Sequence, residues 1–174
     1  MTPSGNASVD SAAALKCALA GEVLRSFGTL RFTATGWSML PAVWPGDTLL
    51  VERIRADQVR VDDIVLVGRA GRLCAHRVIA ASGGAESRQW ITQGDGMADP
   101  DPPVAESELL GRVTYLIRAG RLLKAPARLS LVGRAVARVV QRSASAARVA
   151  VHLQQIYLHH QRQASPEPII PCPS

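Results

Sequence analysis

Six short runs of β-branched and aliphatic residues follow one another between positions 29 and 117: "TLRFTAT", "DTLLVERI", "DIVLVG", "LCAHRVIAA", "RQWITQ" and "LLGRVTYLI". Each is punctuated by Gly, Pro or Asp. Runs this short do not make a helical face, but they suit pleated strands joined by tight turns. The expected fold is therefore mainly β, a compact domain over residues 30–125. "RAGR" at 69–72 reads as a tight hairpin, and the same four residues recur at 118–121, one turn solution used twice. No wider self-similarity makes this a repeat protein.

Helical spacing flanks the β region. Residues 10–27, "DSAAALKCALAGEVLRSF", read as a helix behind a polar leader, with Ser8 or Asp10 as cap and Gly28 as stop, so that 1–29 form one N-terminal unit. From Arg128 to Arg142, at about 100° per residue, Leu129, Val132, Val136, Val139 and Val140 share one face. Arg134, Arg138 and Arg142 share another. "SASA" at 143–146 resets the pattern, because Val149, Leu153 and Ile156 fall on a different face. Two helices are expected over 126–162, as an appendage. The proline-rich tail, 163–174, is expected to be disordered.

Composition bounds the partners. With 174 residues, 47% of them hydrophobic and 20% charged, the chain is long enough to bury a real core. Its net charge of +6 comes almost wholly from arginine, since Lys16 and Lys124 are the only lysines. The arginines are scattered, and no helix-turn-helix, zinc finger or RNA-binding aromatic pattern accompanies them, so nucleic acid is not an expected partner. The arginine face at 134, 138 and 142 leaves peripheral contact with an anionic membrane open. Cys17, Cys74 and Cys172 are too far apart for a metal knuckle or a disulfide framework. His152, His159 and His160 lack ligand spacing, so neither metal nor cofactor is expected. No apolar run reaches the roughly 18 residues of a membrane span, and "MTPSGNASVD" has no basic leader region. A cytoplasmic protein is expected.

Chemistry gathers at three places in the β region. Ser38 lies in "TGWSMLPAVWPGD", a setting of tryptophan, proline and glycine that no surface serine needs. Gly36 permits an unusual backbone angle, Pro41 and Pro45 stiffen the exit, and Met39 and Leu40 anchor the loop. His76 lies in "CAHRV", and carboxylates cluster in "TQGDGMADPDPP". A serine hydroxyl needs a base within hydrogen-bond reach and a third group to fix that base's tautomer. Histidine, with an ordinary pKa of about 6.5, is the natural base. Blander readings stand beside this one: a turn serine, a strand histidine satisfied near the core, and aspartates that only form turns. Strand alternation sends Arg77 to the face opposite His76, a structural position. Trp37 and Trp44 suit either a core or a groove.

"GWSMLPAVWPGDTLLVERI", "VDDIVLVGRAGRLCAHRVIA", "WITQGDGMADPDPPV" and "LLGRV" together resemble the successive boxes of the signal peptidase I family, in the branch that uses Ser-His where the better-known bacterial enzymes use Ser-Lys. The likeness covers about residues 30–115. It implies a signal-peptidase-like β domain with Ser38 as nucleophile and His76 as general base. It makes Asp101 the acidic partner, with Asp95 next and Asp99 an extra carboxylate. Trp37, Met39 and Pro41 become candidates to line the substrate groove. The family's side-chain oxyanion donor falls on Gly36, so backbone donors or another hydroxyl must serve.

The family's usual membrane anchor ahead of the serine is replaced by a helix that carries Lys16, Glu22 and Arg25. The activity implied is an endopeptidase that removes a leader or signal segment from a precursor peptide or protein through an acyl-enzyme. The alternative is a catalytically silent domain of the same fold that binds extended peptides. Self-cleaving repressors carry a similar serine box but need a lysine base, and neither lysine here stands in a matching box.

Overall fold

The computed structural model describes residues 6–84 and 88–142, together with Arg148, Val149 and His152. An N-terminal helix α1 (Asn6–Phe27) leads into β1 (Thr29–Thr33) and β2 (Thr48–Glu52). Then follow β3 (Ile64–Arg69), β4 (Arg72–Ser82), β5 (Gln89–Gln93), β6 (Leu109–Arg118), β7 (Arg121–Lys124) and α2 (Leu131–Arg142). The protein is mainly β: its strands form one seven-stranded antiparallel sheet in the order β1-β2-β6-β3-β4-β5, with β7 paired to β6.

The sheet is buried on both faces at its centre, which explains why "IVLV" in β3 is an unbroken apolar run. Alternation sends Ile64 and Leu66 into the main core with Leu24, Leu49, Val51, Val113 and Leu116. Val65 and Val67 enter a second core with Val78, Trp90 and Val104. The two RAGR turns are both tight hairpins. Ala70 and Gly71 have φ of 48° and 74°, Ala119 and Gly120 have 50° and 76°, and the flanking arginines pair in each case. Left-handed values at both central residues match the twist of the strands they join. The second hairpin creates β7, a strand absent from the sequence expectation. All four of its residues are exposed, so no burial alternation marks it.

Both helices differ in detail from expectation. α1 already runs from Asn6, so neither Ser8 nor Asp10 caps it; Gly28, at φ 74°, does end it. α2 starts at Leu131 instead of Arg128, because the Ser130 hydroxyl accepts the Gly133 N–H (3.0 Å) and caps the first turn. Its buried face is also rotated from the valine stripe. Ala137 and Val140 are buried, whereas Val132 and Val139 are 74% and 59% exposed. Val136 and Val140 meet Leu40 and Trp44, so the segment expected as an appendage packs on the Ser38 loop. Leu153, Ile156 and the tail lie outside the described residues. Among the described residues no helix is long and apolar enough to cross a membrane.

Candidate active site

Residues 34–47 leave the sheet between β1 and β2 and return at nearly the same point. The Ala34 N–H donates to the Asp47 carbonyl (2.9 Å) and the Gly46 N–H to the Ala34 carbonyl (2.7 Å), closing the neck. Asp47, 2% exposed, accepts the Trp44 N–H (2.8 Å) and the Arg118 guanidinium (2.7 Å), which also donates to the Ala42 carbonyl. Met39, Ala42 and Val43 sink into the main core, and Leu40 is covered by Val140. Ser38 is thus a half-buried hydroxyl on a loop anchored along its length.

β4 supplies the next group. His76 pairs with Val65 across the hairpin and Arg77 with Ile64, so the two side chains leave opposite faces. His76 Nε2 lies 3.0 Å from Ser38 Oγ, and its Nδ1 lies 2.5 Å from Asp101 Oδ2. A carboxylate only accepts, so Nδ1 carries the proton and the Nε2 lone pair faces the serine hydroxyl. The histidine side chain is 12% exposed, which keeps its hydrogen bonds from competing with bulk water. The structure therefore brings Ser38, His76 and Asp101 into one line.

Asp95 is corrected from second-choice partner of His76 to a structural residue. Its two oxygens accept Arg77 Nε and Nη2, each at 2.8 Å, in a buried bidentate pair. Arg77 also donates to the carbonyls of Asp62, Pro126 and Ala127, and Gln141 of α2 donates to the Asp95 carbonyl. Asp99 is exposed and makes no ion pair among the described residues. Of the groove candidates, Trp37 is 39% exposed and Pro41 half-buried. Met39, at 3%, is corrected to a core anchor. Neither lysine approaches Ser38: Lys16 is exposed on α1, and Lys124 lines a separate cleft with Asp62 and Asp63.

Three features had no clear signal in the sequence. Thr92 on β5 donates its hydroxyl to Asp101 Oδ2 at 2.7 Å. Arg69, at the hairpin end, grips Glu108 through two 2.6 Å bonds and donates to the Pro102 and Pro103 carbonyls, so it clamps the segment after Asp101. That guanidinium first, and the Ala105 N–H second, hold the Glu108 carboxyl down at about 2. Last, the glycines of "GDG" are seats for the Ser38 backbone: the Gly96 N–H donates to the Ser38 carbonyl at 2.8 Å. The close-packed motif was visible as Gly-Asp-Gly, but its contact lies across the fold.

A cavity of about 150 Å³ opens beside the His76–Asp101 pair, between Val67, Cys74, Pro102 and Val104. Desolvation, then the Asp101 charge, push the Cys74 thiol upward, which disfavours a thiolate nucleophile there. A cavity of about 630 Å³ lies between α1 and the end of β2 and contains none of these residues. Among the described residues no three His, Cys, Asp or Glu side chains converge to hold a metal. No protein-family model matches the chain, and no curated protein matches it.

Proposed function

We propose that the chain is a serine endopeptidase, similar to the Ser-His branch of the signal peptidase I family, that cuts a leader or signal segment from a precursor peptide or protein. One observation carries the reading: Ser38 Oγ, the His76 ring and the Asp101 carboxylate follow one another at 3.0 and 2.5 Å. A turn serine and a core histidine have no need of that order, with the base between nucleophile and carboxylate.

In the proposed reaction Ser38 Oγ attacks the scissile carbonyl while Nε2 takes its proton. The imidazolium, steadied by Asp101, then protonates the leaving amine. Water, deprotonated by the same nitrogen, releases the acyl group from Ser38. The Ser38 backbone N–H has no protein acceptor among the described residues, so it is available for the oxyanion. Gly36 supplies no hydroxyl for it.

The substrate fits as an extended strand. β5 covers β4 only from Arg77 onward, and by alternation the backbone groups of Leu73 and Ala75 point away from β3. No loop among the described residues bonds to them. A peptide added along this edge runs up to His76, with main-chain hydrogen bonds for affinity. The family's preference for small side chains at −1 and −3 is carried over as part of the proposal.

The same open edge favours the second reading, a silent peptide binder. A fluorophosphonate probe separates the two. Labelling of Ser38, lost in Ser38→Ala with the melting temperature unchanged, is the expected result; equal labelling of both proteins overturns the enzyme reading.

A further inference from the structure

We infer that Thr92 is a positioning residue of this site, holding the Asp101 carboxylate in the orientation from which it aligns His76. The inference rests on the reading of Ser38, His76 and Asp101 as the reacting line. Asp101 itself sits in a poor position to stay aimed. Its side chain is 32% exposed, and it is flanked by Pro100 and Pro102 in a segment outside the regular strands. A carboxylate so placed turns freely toward water unless something holds it.

Thr92 holds it twice. Its carbonyl accepts the Asp101 N–H at 2.8 Å, and its hydroxyl donates to Asp101 Oδ2 at 2.7 Å. The hydroxyl therefore meets the same oxygen that accepts the His76 Nδ1–H. Two donors converging on one oxygen fix the carboxylate about both its side-chain torsions, leaving Oδ1 out of the line. The support is rigid. Thr92 is 1% exposed in β5, opposite Val78, and a β-branched side chain in a strand has little torsional freedom. A threonine buried for packing alone satisfies its hydroxyl on a neighbouring carbonyl; this one is spent on the carboxylate.

The test uses a fluorophosphonate, because its reaction with Ser38 needs the same proton transfer and no knowledge of the natural substrate. Thr92→Val keeps shape and removes the donor. It is expected to lower kinact by about 10- to 100-fold, the usual scale for losing a group that orients another, with KI within about twofold. Thr92→Ser, which retains the donor, is expected to stay within about threefold of the wild type. The far-downfield proton resonance of a His76 Nδ1–H bound to a carboxylate should be present in the wild type and in Thr92→Ser.

A Thr92→Val protein that labels at the wild-type rate, while Ser38→Ala does not label at all, overturns the role of Thr92 and leaves the enzyme reading standing. Labelling of Ser38→Ala at the wild-type rate removes the enzyme reading itself. If Thr92→Val does not fold, Thr92→Ser decides: loss of the downfield resonance and of more than tenfold in kinact, at an unchanged melting temperature, contradicts a role carried by the hydroxyl.

Discussion

The carbonyl oxygen of Ser38 occupies the space that a side chain on Gly94 would need: a Cβ built there stands 2.5 Å from it. Gly96, two residues on, donates its N–H to the same oxygen, and a Cβ on Gly96 would meet Val140 at 3.1 Å. The backbone of Ser38 thus rests on a Gly-Asp-Gly loop. Asp95 locks that loop to Arg77, and α2 closes over it through Val140 and Gln141. Ser38 rests on a loop that β4 and α2 hold in turn.

Gly94→Ala is accordingly expected to displace Ser38 and lower the fluorophosphonate rate by about 10²-fold, the scale of a misplacement near 1 Å. Gly84→Ala, where a Cβ meets nothing within 4 Å, serves as the control and should leave the rate unchanged. Equal rates in the two variants would show that the loop does not seat Ser38.

Asp101 and Asp95 should fail differently. Asp101→Asn presents the wrong group to His76 Nδ1 and should cost on the order of 10³- to 10⁴-fold in turnover, with the melting temperature nearly kept. Asp95→Ala leaves the buried Arg77 charge without its partner and should destabilise the fold by roughly 3–5 kcal/mol. Asp99→Asn, exposed, should change neither. Thermal melts and labelling rates on the three proteins check the order, and a reversal between Asp101 and Asp99 would move the assignment of the acidic partner.

What the sequence made legible follows physical range. The strands could be read because each buried run is local, and both hairpins because the glycine of each Ala-Gly pair suits the left-handed φ that a two-residue turn needs. β7 escaped because Leu122 and Leu123 are 60% and 41% exposed, so no apolar–polar alternation reports it. The α2 stripe was misassigned because a helical period gives a set of faces, while the contact with Leu40 and Gly96 chooses one. Ser38, His76 and Asp101 were legible only as boxes in order, through the family resemblance. Nothing local tells that Asp101 meets His76 while Asp95 meets Arg77; that choice is made by the fold, as are the roles of Thr92 and Arg69.

The Arg69–Glu108 pair gives an acid-side signature. Glu108 has its carboxyl lowered from 4.5 to about 2 in the folded chain, so unfolding at moderately acid pH takes up a proton. The stabilisation is fully present above the ordinary glutamate range and fades as pH falls from there through about 2. Side chains 33% and 26% exposed are screened by water, so the effect is expected at about 1 kcal/mol. Glu108→Gln should lower stability at pH 7 by that amount and make little difference once the pH is below about 2. Urea denaturation at the two pH values measures it; a deficit that persists at the lower pH would assign the effect to packing instead of charge.

α2 offers the last expectation, because its inner and outer faces do different things. The inner face covers Leu40 and the Gly94–Gly96 loop, so cutting the helix away disturbs the site and cannot test surface binding cleanly. The outer face leaves Leu131, Val132 and Val139 exposed at 76%, 74% and 59%, beside exposed Arg134, Arg138 and Arg142. Apolar side chains flanked by cations fit the interface of an anionic bilayer. Each arginine near such a surface contributes about 1 kcal/mol, screened over about 10 Å at 0.1 M salt. The full-length protein is expected to float with vesicles rich in anionic lipid at low salt, to be released at high salt, and to stay behind with zwitterionic vesicles. Val132→Asp with Val139→Asp should abolish flotation and leave fluorophosphonate labelling of Ser38 in solution intact. Absence of flotation at low salt would remove the membrane from the account and leave the proposed peptidase to meet its precursor in bulk water.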